Sequence, residues 1–211
     1  MLTAIIDYGS GNLHSAHKAF EKTSSLNNLG SVVVTSDPKI ISSADRLVLP
    51  GDGAFPSCKS ELMASEAYEA LVFSVVEKSR PFLGICVGMQ LMGIKSYEYQ
   101  ETEGLGWIYG EVRKIKPKDR SFKIPHMGWN ALKIECKHPI LNSIHNGDHV
   151  YFVHSFQMRV KKQKQRLAYT DYGTDITAVV GKENMVGLQF HPEKSGEVGL
   201  KMIKNFLSWS P

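Results

Sequence analysis

Short apolar runs alternate along the chain with longer segments in which apolar residues recur every three or four positions. Ala4-Ile5-Ile6-Asp7-Tyr8 reads as a buried first strand, closed by the turn signal Gly9-Ser10-Gly11-Asn12. A helix is predicted to follow to about residue 24. Val32-Val33-Val34 is a second buried strand, and Asp37-Pro38 marks a helix start. Leu47-Val48-Leu49 is a third strand, ended by Pro50-Gly51-Asp52-Gly53. Over 57–78, Tyr68, Leu71, Val72, Val75 and Val76 trace the i, i+3, i+4, i+7, i+8 stripe of one amphipathic helix. Phe82-Leu83-Gly84-Ile85 is a fourth strand running into Cys86, with a helix predicted over 89–95.

This alternation predicts a parallel sheet covered on both faces. After Gly106 strands become more numerous, with candidates at 107–115, 130–134, 150–160, 167–171 and 177–181. The last strand, 186–190, ends in His191-Pro192-Glu193, and a closing helix carries Val198, Met202, Ile203, Phe206 and Leu207. No repeat, linker or low-complexity tract interrupts the pattern. The prediction is a single α/β domain over residues 1–211.

Composition narrows the class. With 42% hydrophobic and 22% charged residues the chain is ordinary globular material, which excludes disorder, collagen and a disulfide-stapled miniprotein. The longest apolar candidate, 81–94, is interrupted by glycines and a glutamine, so no membrane span is expected. The first residues lack a charged n-region, so no signal peptide is expected. Three widely spaced cysteines argue for a reducing compartment and a cytoplasmic protein. The net charge of +4 is uneven, because residues 110–170 hold 13 basic against 4 acidic side chains. Its densest run, Lys161-Lys162-Gln163-Lys164-Gln165-Arg166, reads either as a contact for an acidic ligand or as a solvated turn between strands. Without interleaved aromatic residues it argues against nucleic acid.

Gly84-Ile85-Cys86-Val87-Gly88 has the form of a nucleophile elbow, with cysteine in the nucleophile position between a strand and a helix. Both glycines suit the sharp turn and close backbone approach that an elbow requires. A thiol at a helix N-terminus also faces aligned N–H groups that favour the thiolate. Alone, the same residues equally suit a buried structural cysteine. His191-Pro192-Glu193 shifts the balance toward catalysis. In extended backbone, residues i and i+2 project to one side. A carboxylate at 193 can therefore orient an imidazole at 191 while the other ring nitrogen takes a thiol proton. Rival motifs fail: His14 replaces the third glycine of a dinucleotide fingerprint, and Ile94 stands where a phosphate loop needs lysine. No metal-ligand spacing is present, and neither a metal nor a cofactor is expected.

Gly84-Ile85-Cys86-Val87-Gly88-Met89-Gln90, taken with Gln189-Phe190-His191-Pro192-Glu193, resembles the class I glutamine amidotransferases. Four more motifs narrow the resemblance to the branch serving histidine biosynthesis. They are Asp7-Tyr8-Gly9-Ser10-Gly11-Asn12-Leu13, Pro50-Gly51-Asp52-Gly53-Ala54-Phe55, Pro125-His126-Met127-Gly128-Trp129-Asn130 and Tyr151-Phe152-Val153-His154-Ser155. The resemblance runs from residue 2 to about 207. It implies an α/β fold with a central, mostly parallel sheet, helices on both faces and added antiparallel strands. It also implies hydrolysis of L-glutamine to glutamate and ammonia, the ammonia passing inside a (β/α)8-barrel cyclase subunit that makes imidazole glycerol phosphate and AICAR. Enclosure has a physical reason, since ammonia released to neutral water becomes ammonium and loses its nucleophilic lone pair.

Carried onto this chain, the resemblance makes Cys86 the nucleophile, His191 its base and Glu193 the group that orients His191. The oxyanion donors are the Val87 N–H and one from Gly51-Asp52-Gly53, whose glycines would let a peptide flip so that the hole forms only with an occupied cyclase. Gln90, Glu98, His154, Ser155 and Phe156 are matched to the glutamine α-amino and carboxylate groups, with a solvated helix end as the competing role for Glu98. Met127, Trp129, Asn12 and Lys194 are matched to the partner interface, with core packing or plain surface roles competing. Two positions depart from the pattern. Asp52 stands where an apolar residue is commoner, and a carboxylate beside an oxyanion is a liability unless it points away. Phe156 stands where tyrosine is common, removing one hydrogen bond to substrate. Competing functions are a glutaminase feeding an amidino-sugar synthase of surface polysaccharide, a partner-free hydrolase, and a silent binding subunit, against which the intact Cys86, His191 and Glu193 argue.

Overall fold

The computed structural model describes residues 1–119 and 121–211. The first half winds as β1 (Leu2–Ile6), α1 (Leu13–Asn27), β2 (Ser31–Thr35), α2 (Pro38–Ser43), β3 (Arg46–Leu49), α3 (Phe55–Ala64), α4 (Ala67–Val72), β4 (Phe82–Ile85) and α5 (Val87–Leu91). Two of the sequence turn signals are helix N-caps. Asn12 Oδ1 accepts the Ser15 N–H at 3.2 Å, and Asp37 Oδ1 accepts the Lys39 N–H at 2.8 Å.

The second half adds β5 (Lys95–Ser96), β6 (Thr102–Glu103), β7 (Gly110–Lys114), β8 (His126–Ala131), β9 (Lys133–Ile134), β10 (His149–His154), β11 (Phe156–Val160), β12 (Arg166–Asp171), β13 (Asp175–Lys182), β14 (Met185–Leu188) and α6 (Gly196–Ser208). Among the described residues, eight strands form the main sheet in the order β2-β1-β3-β4-β14-β13-β12-β9. The first five are mutually parallel, and the pairs beyond β14 are antiparallel. This is the mostly parallel sheet with added antiparallel strands that the sequence implied. Two smaller sheets, β10-β8 and β11-β7-β5-β6, lie beside it in the chain order.

β3, β4 and β14 are buried at every position, and since side chains alternate between faces, both faces of the central sheet are covered. α1 packs on α6 and β2, and α2 packs on α4. Phe20 meets Phe206 edge-on at 6.4 Å, joining α1 to α6. Each fully buried Phe, Leu or Ile of this core contributes about 1.5–3 kcal/mol relative to exposure. The buried Arg46 ties β3 to the end of α6, donating to Phe206 O at 3.3 Å and Trp209 O at 2.8 Å. A cation there complements the carbonyl-rich end of the helix.

Several predicted boundaries move. The single helix expected over 57–78 is three pieces: α3 ends where Ser65 turns extended (φ −78°, ψ 147°), α4 follows, and Phe73–Glu77 closes in a π-helical turn. Ser65 Oγ donates to Leu62 O at 2.7 Å, the local competition with the backbone that ends helices. The wider last turn leaves Val76 44% exposed, off the predicted apolar stripe. The helix expected over 89–95 is α5, because Lys95–Ser96 is taken into a sheet by β6 and β7. The strand expected over 150–160 breaks at Ser155 into β10 and β11, which pair with different sheets. The strand expected over 130–134 is split at Leu132 between β8, which begins at His126 and pairs with β10, and β9, which joins the main sheet, and the last strand stops at Leu188.

The basic run 161–166 is the turn between β11 and β12, with Lys161 paired to Glu111 and Arg166 Nε 2.6 Å from Glu135 Oε2. No helix among the described residues is long and apolar enough to cross a membrane. All three cysteines are free.

Candidate active site

β4 and β14 are parallel neighbours, so the segments leaving them emerge at the same edge of the sheet. Cys86 follows β4 directly and sits at φ 55°, ψ −110°, a positive φ that a side chain rarely adopts. The flanking glycines make the turn possible. A Cβ on Gly88 would stand 1.9 Å from Leu49 O, and one on Gly84 would stand 2.6 Å from Gly88 O. Backbone therefore dictates both glycines of the elbow, as the motif predicted.

His191 stands near enough to Cys86 for the sulfur to raise its affinity for a proton, and its Nδ1 lies 2.8 Å from Glu193 Oε1. With Nδ1–H donating to the carboxylate, the remaining ring nitrogen is the one available to sulfur. The backbone at His191 is pinned as well. Ser195 Oγ donates to His191 O at 2.6 Å and accepts the Tyr151 N–H at 3.0 Å. Burial alone would depress the imidazolium, but the hydrogen bonds and charges of Cys86 and Glu193 outweigh it and push His191 up to about 10. Chemically, the arrangement can hold a protonated imidazole against a cysteine sulfur.

These two residues border a cavity of about 430 Å³, which Val87 also lines. The predicted substrate positions Gln90, Glu98, His154, Ser155 and Phe156 all line the same cavity. The break between β10 and β11 delivers the last three of them together. Gln90 Nε2 donates to Phe156 O and to Gln189 Oε1, each at 3.1 Å. Gln189 Nε2 in turn donates to Cys86 Sγ at 3.8 Å. No role was predicted for Gln189, although two-residue alternation places it on the side of the strand end that carries His191. Glu98 caps α3, its Oε2 accepting the Phe55 N–H at 2.8 Å, which fits neither a purely solvated helix end nor a carboxylate wholly free for substrate.

The His154 ring is not available to substrate. Asn130 Nδ2 donates to His126 Nε2 at 3.2 Å, so His126 Nδ1–H is the donor to His154 Nε2 at 3.0 Å. His154 Nδ1–H then donates to Phe156 O at 2.8 Å. Both ring nitrogens of His154 are occupied, and what it can offer a ligand is backbone and ring surface. The expected substrate position at His154 therefore acts through those groups rather than through its ring nitrogens. Burial keeps the pair neutral, pushing His126 down to about 4 and His154 below its ordinary range.

The expected oxyanion hole is not assembled. The Val87 N–H donates to Gly51 O at 3.2 Å, so at Gly51-Asp52 a carbonyl occupies the place where a second donor was expected. The carboxylate of Asp52 is tied to the loop after β1, its Oδ1 accepting the Gly11 N–H at 3.0 Å, and Tyr8 OH donates to Pro50 O at 2.8 Å. Asp52 and Gly53 line the cavity.

Of the residues matched to a partner, Met127 and Trp129 are 63% and 56% exposed on β8. Trp129 meets Tyr151 edge-on at 6.0 Å, and its ring lies against Gly196, beyond the turn carrying Lys194. Lys194 is exposed and lines the cavity. Asn12 is committed as the cap of α1. Tyr99, at φ 60° and 87% exposed, also lines the cavity, and sequence gave no signal for it.

The family model described as glutamine amidotransferase class-I matches residues 4–209. The chain is 60% identical over 212 residues to the imidazole glycerol phosphate synthase subunit HisH of Ruegeria pomeroyi, with 100% of both chains covered. It is 52% identical to proteins of the same name from Cereibacter sphaeroides and Brucella abortus, again with 100% of both chains covered. Among solved structures, a glutamine amidotransferase superposes with a TM-score of 0.68 at 17% identity, over 93% of this chain and 94% of the other. Another, from Thermotoga maritima, gives 0.61 at 17% identity, over 92% and 76%, and both likenesses concern the fold. With a model matched across nearly its whole length and relatives at this identity, the chain belongs to the class I glutamine amidotransferases.

Proposed function

We propose that this chain is the glutaminase subunit of an imidazole glycerol phosphate synthase, working in the cytoplasm in L-histidine biosynthesis. The observation that carries the reading is the contact of Cys86, His191 and Glu193 at the ends of two neighbouring parallel strands, beside a cavity lined by the matched substrate positions. The names and full-length coverage of the relatives support the synthase over an amidino-sugar pathway.

Cys86 sulfur attacks the side-chain amide carbon of glutamine, and the His191 proton goes to the departing ammonia. Water, deprotonated by His191, then hydrolyses the thioester to glutamate. Glu193 holds the His191 ring and balances its charge. The tetrahedral intermediates need donors for the oxyanion, each contributing about 2.7–4 kcal/mol to the barrier reduction. The conformation with Gly51 O on the Val87 N–H is the idle one. Rotation of the Gly51–Asp52 peptide would free the Val87 N–H and turn the Asp52 N–H inward. Docking of a (β/α)8-barrel cyclase on the Met127 and Trp129 face, with its nucleotide bound, drives that rotation and receives the ammonia.

The test is glutamate release by the chain alone, with the cyclase, and with cyclase plus nucleotide, using Cys86→Ala as control. Low activity alone, a large rise only in the occupied complex, and none in the variant are expected. Cys86→Ala activity equal to the unsubstituted chain would reject the triad. Folded chain that neither binds nor responds to the cyclase would reject the partner.

A further inference from the structure

The chain of hydrogen bonds that occupies the His154 ring begins on β8, outside the cavity. Asn130 is its first member. Its Nδ2 also donates to Asp171 O at 2.9 Å and its Oδ1 accepts the Ala131 N–H at 2.8 Å, which leaves no freedom to exchange amide oxygen and nitrogen. The two ends of the chain agree on direction, because Asn130 makes His126 Nε2 an acceptor and Phe156 O, which can only accept, makes His154 Nδ1 a donor. His126 Nε2 must accept, so its Nδ1–H points at His154, and His154 Nδ1–H points at Phe156 O.

His126 is 2% exposed, stacked on Phe152 at 4.6 Å and leaning on Tyr172 at 4.0 Å, so its ring plane is fixed by packing as well. The far end of the chain lies in the cavity. Phe156 O takes one bond from His154 and a second from Gln90, which lies one hydrogen bond from Gln189 and two from Cys86. Ser155 O is also engaged, accepting the Ile115 N–H at 2.9 Å. The backbone where β10 gives way to β11 is thus held by donors on both sides, at the point where it lines the cavity.

We propose that His126, oriented by Asn130, is a positioning residue for glutamine binding: its Nδ1–H holds the His154 ring against Phe156 O and thereby the 154–156 backbone against which the amino acid end of the substrate rests. The inference rests on the glutaminase reading above and adds a residue to it that touches neither substrate nor sulfur. The inner face of β8 carries His126, while its outer face carries the exposed Met127 and Trp129. The strand that presents the partner surface therefore also holds the floor of the glutamine pocket.

The test is steady-state glutaminase kinetics of the cyclase complex with nucleotide, comparing His126→Phe, His126→Gln and Asn130→Ala. Phenylalanine keeps the stacking on Phe152 and Tyr172 but removes the donor to His154 Nε2. It is expected to raise KM for glutamine roughly tenfold, the consequence of one buried acceptor left without its donor, with kcat within about twofold. Glutamine at 126 retains a donor and an acceptor, and is expected to bring KM back to within about threefold. Asn130→Ala, which releases the orientation of His126, is expected to fall between them. Nitrogen-15 spectra give a second readout, with the His154 Nε2 resonance that of a hydrogen-bonded acceptor in the unsubstituted chain and of an unbonded one in His126→Phe.

Unchanged KM in folded His126→Phe overturns the proposal. So does a lowered melting temperature with unaltered kinetics, which would make His126 structural only. If His126→Phe fails to fold, His126→Gln and Asn130→Ala carry the same decision through KM. Absence of glutamate release from the unsubstituted complex would instead strike the glutaminase reading itself.

Discussion

Lowering the pH from 7 to 5 is expected to destabilise this protein more than its exposed carboxylates would, because two histidines are buried as a neutral pair. In the unfolded chain each histidine titrates near its ordinary value of about 6.5. In the folded chain burial pushes His126 down to about 4 and His154 lower than ordinary, with repulsion from His126 and His191 adding to the effect on His154. A depressed folded value means that the unfolded state takes up more protons below about pH 6.5. The stabilisation is therefore complete above that pH and is lost as the pH falls toward the folded values. Between pH 7 and 5 the loss is about 2 kcal/mol for each histidine, about 4 together, against a total stability of about 5–15 for a typical domain. Urea unfolding at pH 7, 6 and 5 measures it. With a slope of about 1–3 kcal/mol per molar urea, the midpoint should drop by roughly 2 M while the slope stays constant. His126→Gln removes one of the two titrations and should leave about half the drop. A midpoint that does not move, or a drop unaltered in His126→Gln, refutes the neutral-pair account.

Three further outcomes follow from the site. The His191 imidazolium should persist through neutral pH in NMR titration, with a midpoint toward 10, and Glu193→Gln should lower that midpoint. Its stabilisation is full below about pH 6.5 and lost as the pH rises through the folded value, so an unshifted midpoint in Glu193→Gln contradicts the assigned contact. Asp52→Val cuts the tie to the Gly11 N–H that holds the loop 50–53 and should raise glutamate release by the free subunit several-fold; an unchanged basal rate would mean the tie does not restrain that peptide. Trp129→Ala should leave stability within about 0.5 kcal/mol, the usual range for a surface change, while weakening cyclase binding in calorimetry by roughly thirtyfold or more. Equal affinity would place the docking surface elsewhere.

The parallel half of the fold was legible because its strands are uninterrupted apolar runs, a pattern that only burial on both faces produces. The elbow was legible for a harder reason: at Gly84 and Gly88 neighbouring backbone leaves no room for a Cβ. What stayed hidden depends on contacts that no local pattern records. Apolar spacing continues through Ser65, so the break between α3 and α4 left no periodic trace. β10 and β11 read as one strand because the change of sheet at Ser155 is made by partners, β8 and β7, distant in sequence. The destination of the Asp52 carboxylate required knowing that Gly11 lies beside it, 41 positions earlier. The occupied ring of His154 required His126, 28 positions away on another strand.

The pairing of β4 with β14 also bears on how the chain becomes active during synthesis. Gln189 and Cys86 touch across 103 positions of sequence, and β14 enters the sheet between two strands, parallel to β4 and antiparallel to β13. Contacts of such separation are slow to form, since a long loop must close before they are rewarded. A ribosome adding about 5–20 residues per second exposes Cys86 several seconds before His191 exists. Throughout that interval the sulfur has no base beside it and no carboxylate behind the base. The growing chain is therefore hydrolytically inert, and its catalytic groups are complete only once the segment after the final strand has joined the sheet edge beside Cys86.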